Sequence, residues 1–311
     1  MSPRPIVSVV VAARDVRPYL RDAVRSALDQ AVPVEVLVID DGSHDGTGEV
    51  ALALGDPRVL VLRHPTARGP SASRNRAIAM ARGEWIAPLD ADDAFMPGRL
   101  AQLMRSPAAT WADVIADDVA YVPHGSAEPR ATLLGQLSGS GRTLAVDPVR
   151  FAATHRFGRP GLHLGMAKPL IRRAFLRDHA IAYDERALFF EDFWLYLDCL
   201  LAGARFAVVP EPGYRYRERR PGALTGSDVL VRLAAYRRGT ERRLARGDIR
   251  ARPALARALA ANLSVFRRAE AWHRVRRALS AGRACAALRL WRREPCALLE
   301  PLWRLRERLA G

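Results

Sequence analysis

Lysine is almost absent from this chain of 311 residues: Lys168 is the only one among 49 basic side chains, and the rest are arginine. Coding bias alone can produce part of such an arginine excess. Cysteine is scarce too. Cys199, Cys285 and Cys296 are too few and too scattered for a disulfide framework or a zinc site, and an odd count without a CxxC pair fits a reducing, cytosolic compartment. No stretch approaches the ~20 uninterrupted apolar residues of a bilayer-spanning helix. The opening run Ile6–Ala13 is too brief to span and lacks a signal-peptide cleavage pattern. Glycine is missing where a phosphate-binding loop needs it. The segment Val11–Asp15 reads VAARD, with neither GxGxxG nor a glycine-rich loop after the first strand pattern. That excludes a dinucleotide oxidoreductase and argues against a sugar nucleotidyltransferase.

The net charge of +16 looks like a nucleic-acid signal until it is located. Residues 229–311 hold 21 of the 49 basic residues and only 6 of the 33 acidic ones, so the excess sits in the last quarter. No aromatic-basic platform or reading motif accompanies it, which leaves nucleic acid out.

A hydrophobic content of 49% supplies one large core or two. The first hundred residues alternate strand and helix patterns. Ile6–Val11 is an apolar run typical of a buried parallel strand, Val34–Ile39 a second, β-branched run, and Arg58–Leu62 and Glu84–Leu89 a third and fourth strand. Between them, Leu20, Ala23, Val24, Ala27 and Leu28 are spaced for one helical face, a short helix follows near Thr47–Leu54, and Pro70 opens a helix that Gly83 closes. The economical reading is an α/β fold with a mainly parallel sheet, helices on its faces and right-handed crossovers. Ligands bind such sheets beyond the carboxyl ends of the strands. Further on, Ala112–Val122 reads as a strand, 123–142 as a loop, Leu170–His179 as a short helix, Phe190–Ala202 as a helix and Arg205–Val209 as a strand. After Asp228 the chain is rich in Ala, Leu and Arg with helical periodicity, broken near Gly247, Pro253, Gly282 and Pro295. The expected organisation is an α/β domain over 1–228, with halves 1–100 and 101–228, and a helical extension over 229–311.

Three acidic groups carry candidate chemistry. Asp90, Asp92 and Asp93 place three carboxylates within four residues at a strand end, and they repel one another unless a cation or hydrogen-bond donors offset the charge. Mg2+ or Mn2+ is commonly held by one or two carboxylates plus phosphate oxygens. The plainer alternative is an acidic cap on the helix pattern over Met96–Met104. Asp40-Asp41-Gly42-Ser43 reads either as a common turn or as a carboxylate that reaches a base N–H or a ribose hydroxyl. Glu191-Asp192, flanked by Phe189, Phe190, Phe193 and Trp194, reads either as a first-turn pair complementing a helix dipole or as a general base desolvated by aromatics.

Together these segments resemble family 2 of the GT-A glycosyltransferases. The matching pieces are Val7–Ala13 (VSVVVAA), Leu20–Gln30 (LRDAVRSALDQ), Val38–Ser43 (VIDDGS), Gly69–Ile78 (GPSASRNRAI), Gly83–Asp93 (GEWIAPLDADD) and Phe190–Leu195 (FEDFWL), in the family's order and spacing over about residues 5–220. The resemblance implies a GT-A, Rossmann-like fold and an inverting transfer from a nucleotide-sugar donor, with UDP the expected carrier, to a hydroxyl of a glycan, a lipid-linked or a small-molecule acceptor. It implies that Asp40 or Asp41 contacts the base, with Ala12, Arg14, Arg74 and Asp90 also on the nucleotide side. Asp90 and Asp92 would form the DXD element that holds Mn2+ or Mg2+, and Asp192 would be the general base. Supporting places fall to Asp93, Glu191, Lys168 and Arg217.

Two features depart from or extend the pattern. Many relatives carry Pro-x-Tyr-Asn after the first strand where this chain has Ala12-Ala13-Arg14-Asp15, so Arg14 takes the place of the stacking aromatic or contacts phosphate. The stretch Tyr214–Thr225 offers arginines either to a diphosphate or to solvent. In the basic extension, Leu288, Leu290, Trp291, Leu298, Leu299, Leu302, Trp303 and Leu305 alternate with arginines. The helices of that extension either pack on the rest of the chain or lie on an anionic membrane. The expected location is cytoplasmic, peripheral on the inner membrane face. The rival of a different class is an inactive GT-A-like binding protein, against which the joint presence of Asp90, Asp92 and Asp192 speaks.

Overall fold

The computed structural model describes residues 5–135, 142–155, 163–218 and 228–295. The chain divides into two compact units, Met1–Phe151 with Gly161–Arg220, and Ala152–Pro160 with Pro221–Gly311.

The first unit is built on β1 (Val7–Ala13), in which every residue but Ala12 is buried. A strand of this kind has no wet face, because the crossover helices of a parallel sheet cover both of its faces. It runs parallel to β2 (Val34–Asp40) on one side and β4 (Trp85–Pro88) on the other, and β3 (Val59–Arg63) lies parallel outside β2. Helices α1 (Arg17–Leu28), α2 (Thr47–Leu52) and α3 (Pro70–Met80) make the connections. α1 buries Leu20, Ala23, Val24, Ala27 and Leu28, the face its spacing predicts. The order β3-β2-β1-β4 shows that the chain walks outward from β1 and then returns to its other side. That reversal opens a crevice at the carboxyl ends of β1 and β4.

The other elements are β5 (Ala94–Phe95), α4 (Arg99–Arg105), β6 (Val114–Pro123), β7 (Ala131–Thr132), β8 (Leu144–Val146), α5 (Pro148–Thr154), β9 (Leu170–Arg172), α6 (Arg173–Asp178), α7 (Glu191–Leu201) and β10 (Phe206–Glu218). They extend the sheet to ten strands in the order β3-β2-β1-β4-β9-β6-β10-β5, with β7 beside β6 and β8 beside β10. The parallel half is therefore continued by a mixed half. β9 is antiparallel to both β4 and β6, and β6 and β10 are parallel.

Three sequence expectations need correction here. Leu170–His179 is not one helix. Leu170 and Ile171 are fully buried in β9, and only Arg173–Asp178 is helical. A three-residue strand is too short for period-two alternation to be read. The strand expected over Arg205–Val209 continues to Glu218, past Pro210 and Pro212, through irregular register against β6 between Val208 and Tyr214. Prolines and an irregular register interrupt the pattern that marks a strand. Finally, Gly83 does not close α3, which ends at Met80. Its role is close approach: a Cβ there would lie 2.6 Å from the Ser8 backbone nitrogen and 2.9 Å from the Val7 carbonyl carbon.

The second unit contains α8 (Val229–Leu244), α9 (Gly247–Arg250), α10 (Pro253–Ser280) and α11 (Ala284–Arg293), divided near the Gly and Pro positions that its sequence suggests. Tyr236 on α8 stacks on Phe266 on α10 at 3.7 Å between ring centroids, and His155 stacks on both rings. Buried Glu270 receives Arg237 at 3.0 Å and also pairs with Arg274, while Glu241 takes Arg267 at 2.8 Å. α11 sets Ala287, with Ala286 and Leu290, against Ala271, Val275 and Ala278 of α10. Leu288 and Trp291 remain 44% and 40% exposed. The later apolar positions Leu298, Leu299, Leu302, Trp303 and Leu305 lie outside the described residues. Among the described residues, no helix is long and apolar enough to cross a membrane.

Gly83→Ala is expected to cost about 1–3 kcal/mol, because the added methyl meets the β1 backbone rather than a movable side chain. Chemical denaturation checks this, and an unchanged midpoint contradicts the close-approach reading.

Candidate active site

Beyond the carboxyl ends of β1, β2 and β4 the structure gathers the predicted residues into three groups. The first forms where β1 and β2 end. The Asp41 N–H donates to the Ala13 carbonyl at 2.8 Å, and the Asp15 N–H donates to Ser43 Oγ at 3.1 Å, so the two turns are laced together. Ala12 is half-buried on β1, and Arg14 is exposed beside Asp15 at 3.7 Å. Both acids of the Asp-Asp turn point inward. Asp40 Oδ1 accepts from the Ser43 N–H at 2.9 Å, and its other oxygen lies 3.5 Å from the Arg63 guanidinium. Asp41 Oδ1 accepts from the Arg68 N–H and faces His64 Nδ1, and Oδ2 accepts from the Gly69 N–H at 2.8 Å. Burial works against the Asp41 charge, but these donors and His64 hold its carboxyl below the ordinary value of 3.8. Asp41 thereby ties the end of β2 to the start of α3.

The second group is a buried network of charge. Arg74 projects from α3, Asp90 follows β4, Lys168 precedes β9, and Glu191 and Asp192 open α7. Arg74 donates to Asp90 Oδ1 at 2.7 Å and to Glu191 Oε1 at 2.9 Å. Lys168 Nζ lies 2.8 Å from Asp90 Oδ2 and 2.6 Å from Asp192 Oδ2. The Tyr183 hydroxyl donates to Asp192 Oδ1 at 3.1 Å, and Asn75 holds the Tyr183 backbone through both its N–H and its C=O. The antiparallel register explains how Lys168 arrives. Ile171 pairs with Ile86, so three residues earlier in β9's direction the chain stands opposite Leu89, next to Asp90.

Burial raises the cost of every charge here, and the partners decide the direction. For Asp90, burial is outweighed by Lys168 and Arg74, which hold its carboxyl well below the usual carboxylate range. Burial also opposes the Lys168 charge, yet Asp192 and Asp90 push the ammonium pKa upward, and Arg74 rises for the same reason. Glu191 moves up because burial and the neighbouring Asp192 outweigh Arg74. A cation and a phenol address the two oxygens of Asp192, Lys168 at Oδ2 and the Tyr183 hydroxyl at Oδ1. The backbone at Phe190, just before α7, is left-handed with φ of 63°. That conformation costs a non-glycine residue of order 1 kcal/mol and clusters at functional sites.

The third group lies around Asp93, just after Asp90-Ala91-Asp92. Tyr214 on β10 accepts from the Asp90 N–H at 3.1 Å and donates to Asp93 Oδ2 at 2.8 Å, while the Arg217 N–H donates to Asp93 Oδ1 at 2.8 Å. Burial, then the charges of Asp92 and Asp90, push the Asp93 carboxyl well up. The Arg217 guanidinium sits 4.8 Å over the Tyr19 ring. Asp92 is half-buried. Arg219 and Arg220, also expected near a diphosphate, lie outside the described residues. Behind Lys168, buried Arg99 grips Asp117 with two bonds of 2.7 Å and donates to the Lys168 carbonyl at 2.5 Å.

Sequence reasoning did not single out Tyr183, Asn75, Tyr214, Arg99 or Asp117. Asn75 and Tyr214 fall in quoted segments, but nothing local in the sequence signals their contacts. Among the described residues, no three His, Cys, Asp or Glu side chains are arranged to hold a metal by themselves. Both Asp90 oxygens already face cations, Oδ1 toward Arg74 and Oδ2 toward Lys168, so a metal held with Asp92 would take their second lone pairs.

Comparison with known proteins follows the same lines. A family model described as "Glycosyl transferase family 2" matches residues 8–159. The chain is 39% identical over 233 residues to the succinoglycan biosynthesis protein ExoU of Rhizobium meliloti (strain 1021), a match covering 73% of this chain and 66% of ExoU. It thus spans just under two thirds of that relative. Its fold is similar to that of TarS from S. aureus, solved in complex with UDP-GlcNAc, with a TM-score of 0.63 at 22% identity over 81% of this chain and 71% of that one. It is also similar to that of the mannosyltransferase PcManGT from Pyrobaculum calidifontis, solved with GDP-Man and Mn2+. There the TM-score is 0.59 at 20% identity over 97% of this chain and 80% of that one.

Because the Asp41 pKa is lowered on folding, its stabilisation is complete above 3.8 and is lost as pH falls below that value. Asp41→Asn should cost about 1–3 kcal/mol near neutral pH and flatten the acid limb of stability below about pH 4. Urea melts across pH 3–7 measure this, and an acid limb identical to wild type would count against the anchoring role of Asp41.

Proposed function

This chain belongs to glycosyl transferase family 2, and we propose that it is an inverting transferase moving a sugar from a nucleotide-sugar donor, carried on UDP, to an acceptor hydroxyl in polysaccharide biosynthesis. The observation that carries this reading is the junction of Asp90 and Asp192 in one buried network, with Lys168 Nζ 2.8 and 2.6 Å from the two carboxylates. A residue from the strand-end motif and one from the first turn of α7 thus address the same space. Asp40, Asp41, Ala12, Arg14 and Arg74 form the nucleotide side. Asp192 takes the acceptor proton. Its oxygens accept one bond each from Lys168 and Tyr183, and a carboxylate oxygen retains a second lone pair for a hydroxyl. As that proton leaves, the acceptor oxygen bonds to the anomeric carbon from the face opposite the leaving group. The bond from the anomeric carbon to the diphosphate oxygen breaks, and its electron pair departs with the nucleoside diphosphate. A Mn2+ or Mg2+ ion bound by Asp90 and Asp92 would stabilise negative charge on that leaving group. Arg74 and Lys168 keep the Asp90 carboxylate ionised and oriented, and Asp93, held by Tyr214 and the Arg217 N–H, keeps the turn in shape.

The acceptor is a glycan or a lipid-linked glycan, and the second unit supports work at a membrane surface. On α11, exposed Leu288 and Trp291 stand among Arg289, Arg292 and Arg293, a pairing of apolar anchors and positive charge that suits an anionic leaflet. The proposed domain roles follow: catalysis over 1–228, and surface attachment through the helices of 229–311 on the cytoplasmic side.

A panel of UDP- and GDP-sugars incubated with Mn2+ should reveal one donor consumed by the wild-type chain and spared when chelator is added. Asp92→Ala should lower that rate about 100-fold, and Asp192→Asn should lower transfer about 100-fold or more while leaving UDP affinity nearly unchanged. Chelator-insensitive turnover overturns the metal assignment, and loss of UDP binding in Asp192→Asn makes that residue structural. In low salt the full chain should co-sediment with vesicles containing anionic lipid. Combined Leu288→Ala and Trp291→Ala should reduce the bound fraction several-fold, and equal sedimentation removes the membrane reading.

A further inference from the structure

Lys168 is 5% exposed, and its ammonium is the only side-chain group that touches both the strand-end carboxylate Asp90 and the candidate base Asp192 in the contacts described above. Its backbone is fixed on two sides. The Tyr196 hydroxyl donates to the Ala167 carbonyl at 3.0 Å, and Arg99, clamped by Asp117, donates to the Lys168 carbonyl at 2.5 Å. Arg74 makes a second, parallel bridge from Asp90 to Glu191. The first turn of α7 is therefore tied to the end of β4 by two cations that differ in kind.

The choice of residue is itself informative. Lys168 is the single lysine of the chain, every other Lys/Arg position being arginine. An ammonium is a compact point charge with three donors. It can sit at 2.6 and 2.8 Å from oxygens of two different carboxylates, whereas the planar arginine fork favours two oxygens of the same group.

We infer that Lys168 is a positioning residue that sets the separation of Asp192 from Asp90, and so aligns proton removal on the acceptor side with the donor's reacting carbon. The inference rests on the reading of Asp192 as general base and of Asp90 as a donor-side residue. Lys168 itself need not touch either substrate. Its effect is on alignment, and alignment errors near 1 Å are enough to cost about 100-fold in rate.

The test uses the full chain with Lys168→Met, Lys168→Arg, Lys168→Gln and Asp192→Asn. Binding is measured with UDP by calorimetry. Turnover is measured with whichever of UDP-glucose, UDP-galactose and UDP-N-acetylglucosamine the wild type consumes fastest. Lys168→Met is expected to lower kcat about 100-fold with donor KM and UDP affinity within about threefold of wild type. Lys168→Arg is expected to melt like wild type and still lose about 10-fold or more in kcat, because the charge returns without the geometry. If Lys168→Met does not fold, Lys168→Arg and Lys168→Gln carry the same comparison. A raised donor KM with kcat intact overturns the inference, since Lys168 then acts on Asp90 alone. Wild-type kcat in Lys168→Arg also overturns it. Wild-type kcat in Asp192→Asn is a different result: it removes the base assignment, with Lys168 left in place.

Discussion

Asp90 and the adjacent pair Glu191 and Asp192 bring three carboxylates from two distant parts of the chain into a largely buried cluster, where ionised groups are stabilised by counter-charge at contact distance. Arg74 and Lys168 supply it, each bridging from Asp90 to a different acid of α7. Removing one member of such a buried set typically costs several kcal/mol, because the remaining charge is left without a partner. The network therefore constrains the fold around it. α3, the end of β4, the approach to β9 and the start of α7 must arrive together, and the sheet topology is what makes them do so.

Two strands of the mixed half achieve this. β9 runs antiparallel to β4, so the residues before it, Lys168 among them, fall beside the carboxyl end of β4 where Asp90 begins. β10 runs on past its prolines until Tyr214 pairs with Phe95, and there the Tyr214 hydroxyl meets Asp93 and the Asp90 N–H. The parallel half offers a crevice at the reversal of strand order. The mixed half fills one wall of it with a lysine, a tyrosine and the first turn of a helix.

In the second unit the arginines divide by environment. Arg237 and Arg267 pair with Glu270 and Glu241 between α8 and α10, Arg274 pairs with Glu270 within α10, and the stacked rings of His155, Tyr236 and Phe266 supply apolar contact. Those near the end of the described chain, Arg289, Arg292 and Arg293, accompany exposed Leu288 and Trp291 on α11. Charge that looks uniform in composition thus has two physical settings.

The parallel half of the sheet was legible because its strands are short, mainly apolar runs, and α1 because its buried residues recur at helical spacing; both signals are local. The candidate site residues were legible as types at strand and helix ends, through motifs such as DADD after β4 and FED at α7. Their arrangement was not. Whether Asp41 faces a ligand or its own chain depends on where Arg68 and Gly69 return. Whether Asp192 is surrounded by aromatics or by a cation depends on the register of a three-residue strand. Gly83 reads as a helix stop and proves to be a close approach to β1. Composition and periodicity determined the α/β class, the parallel core and the carboxylates at its edge, since these follow from which residues avoid water and how often they recur. Tertiary structure alone decided which charges neutralise which, because contacts between segments 16 to 117 residues apart leave no trace in local pattern.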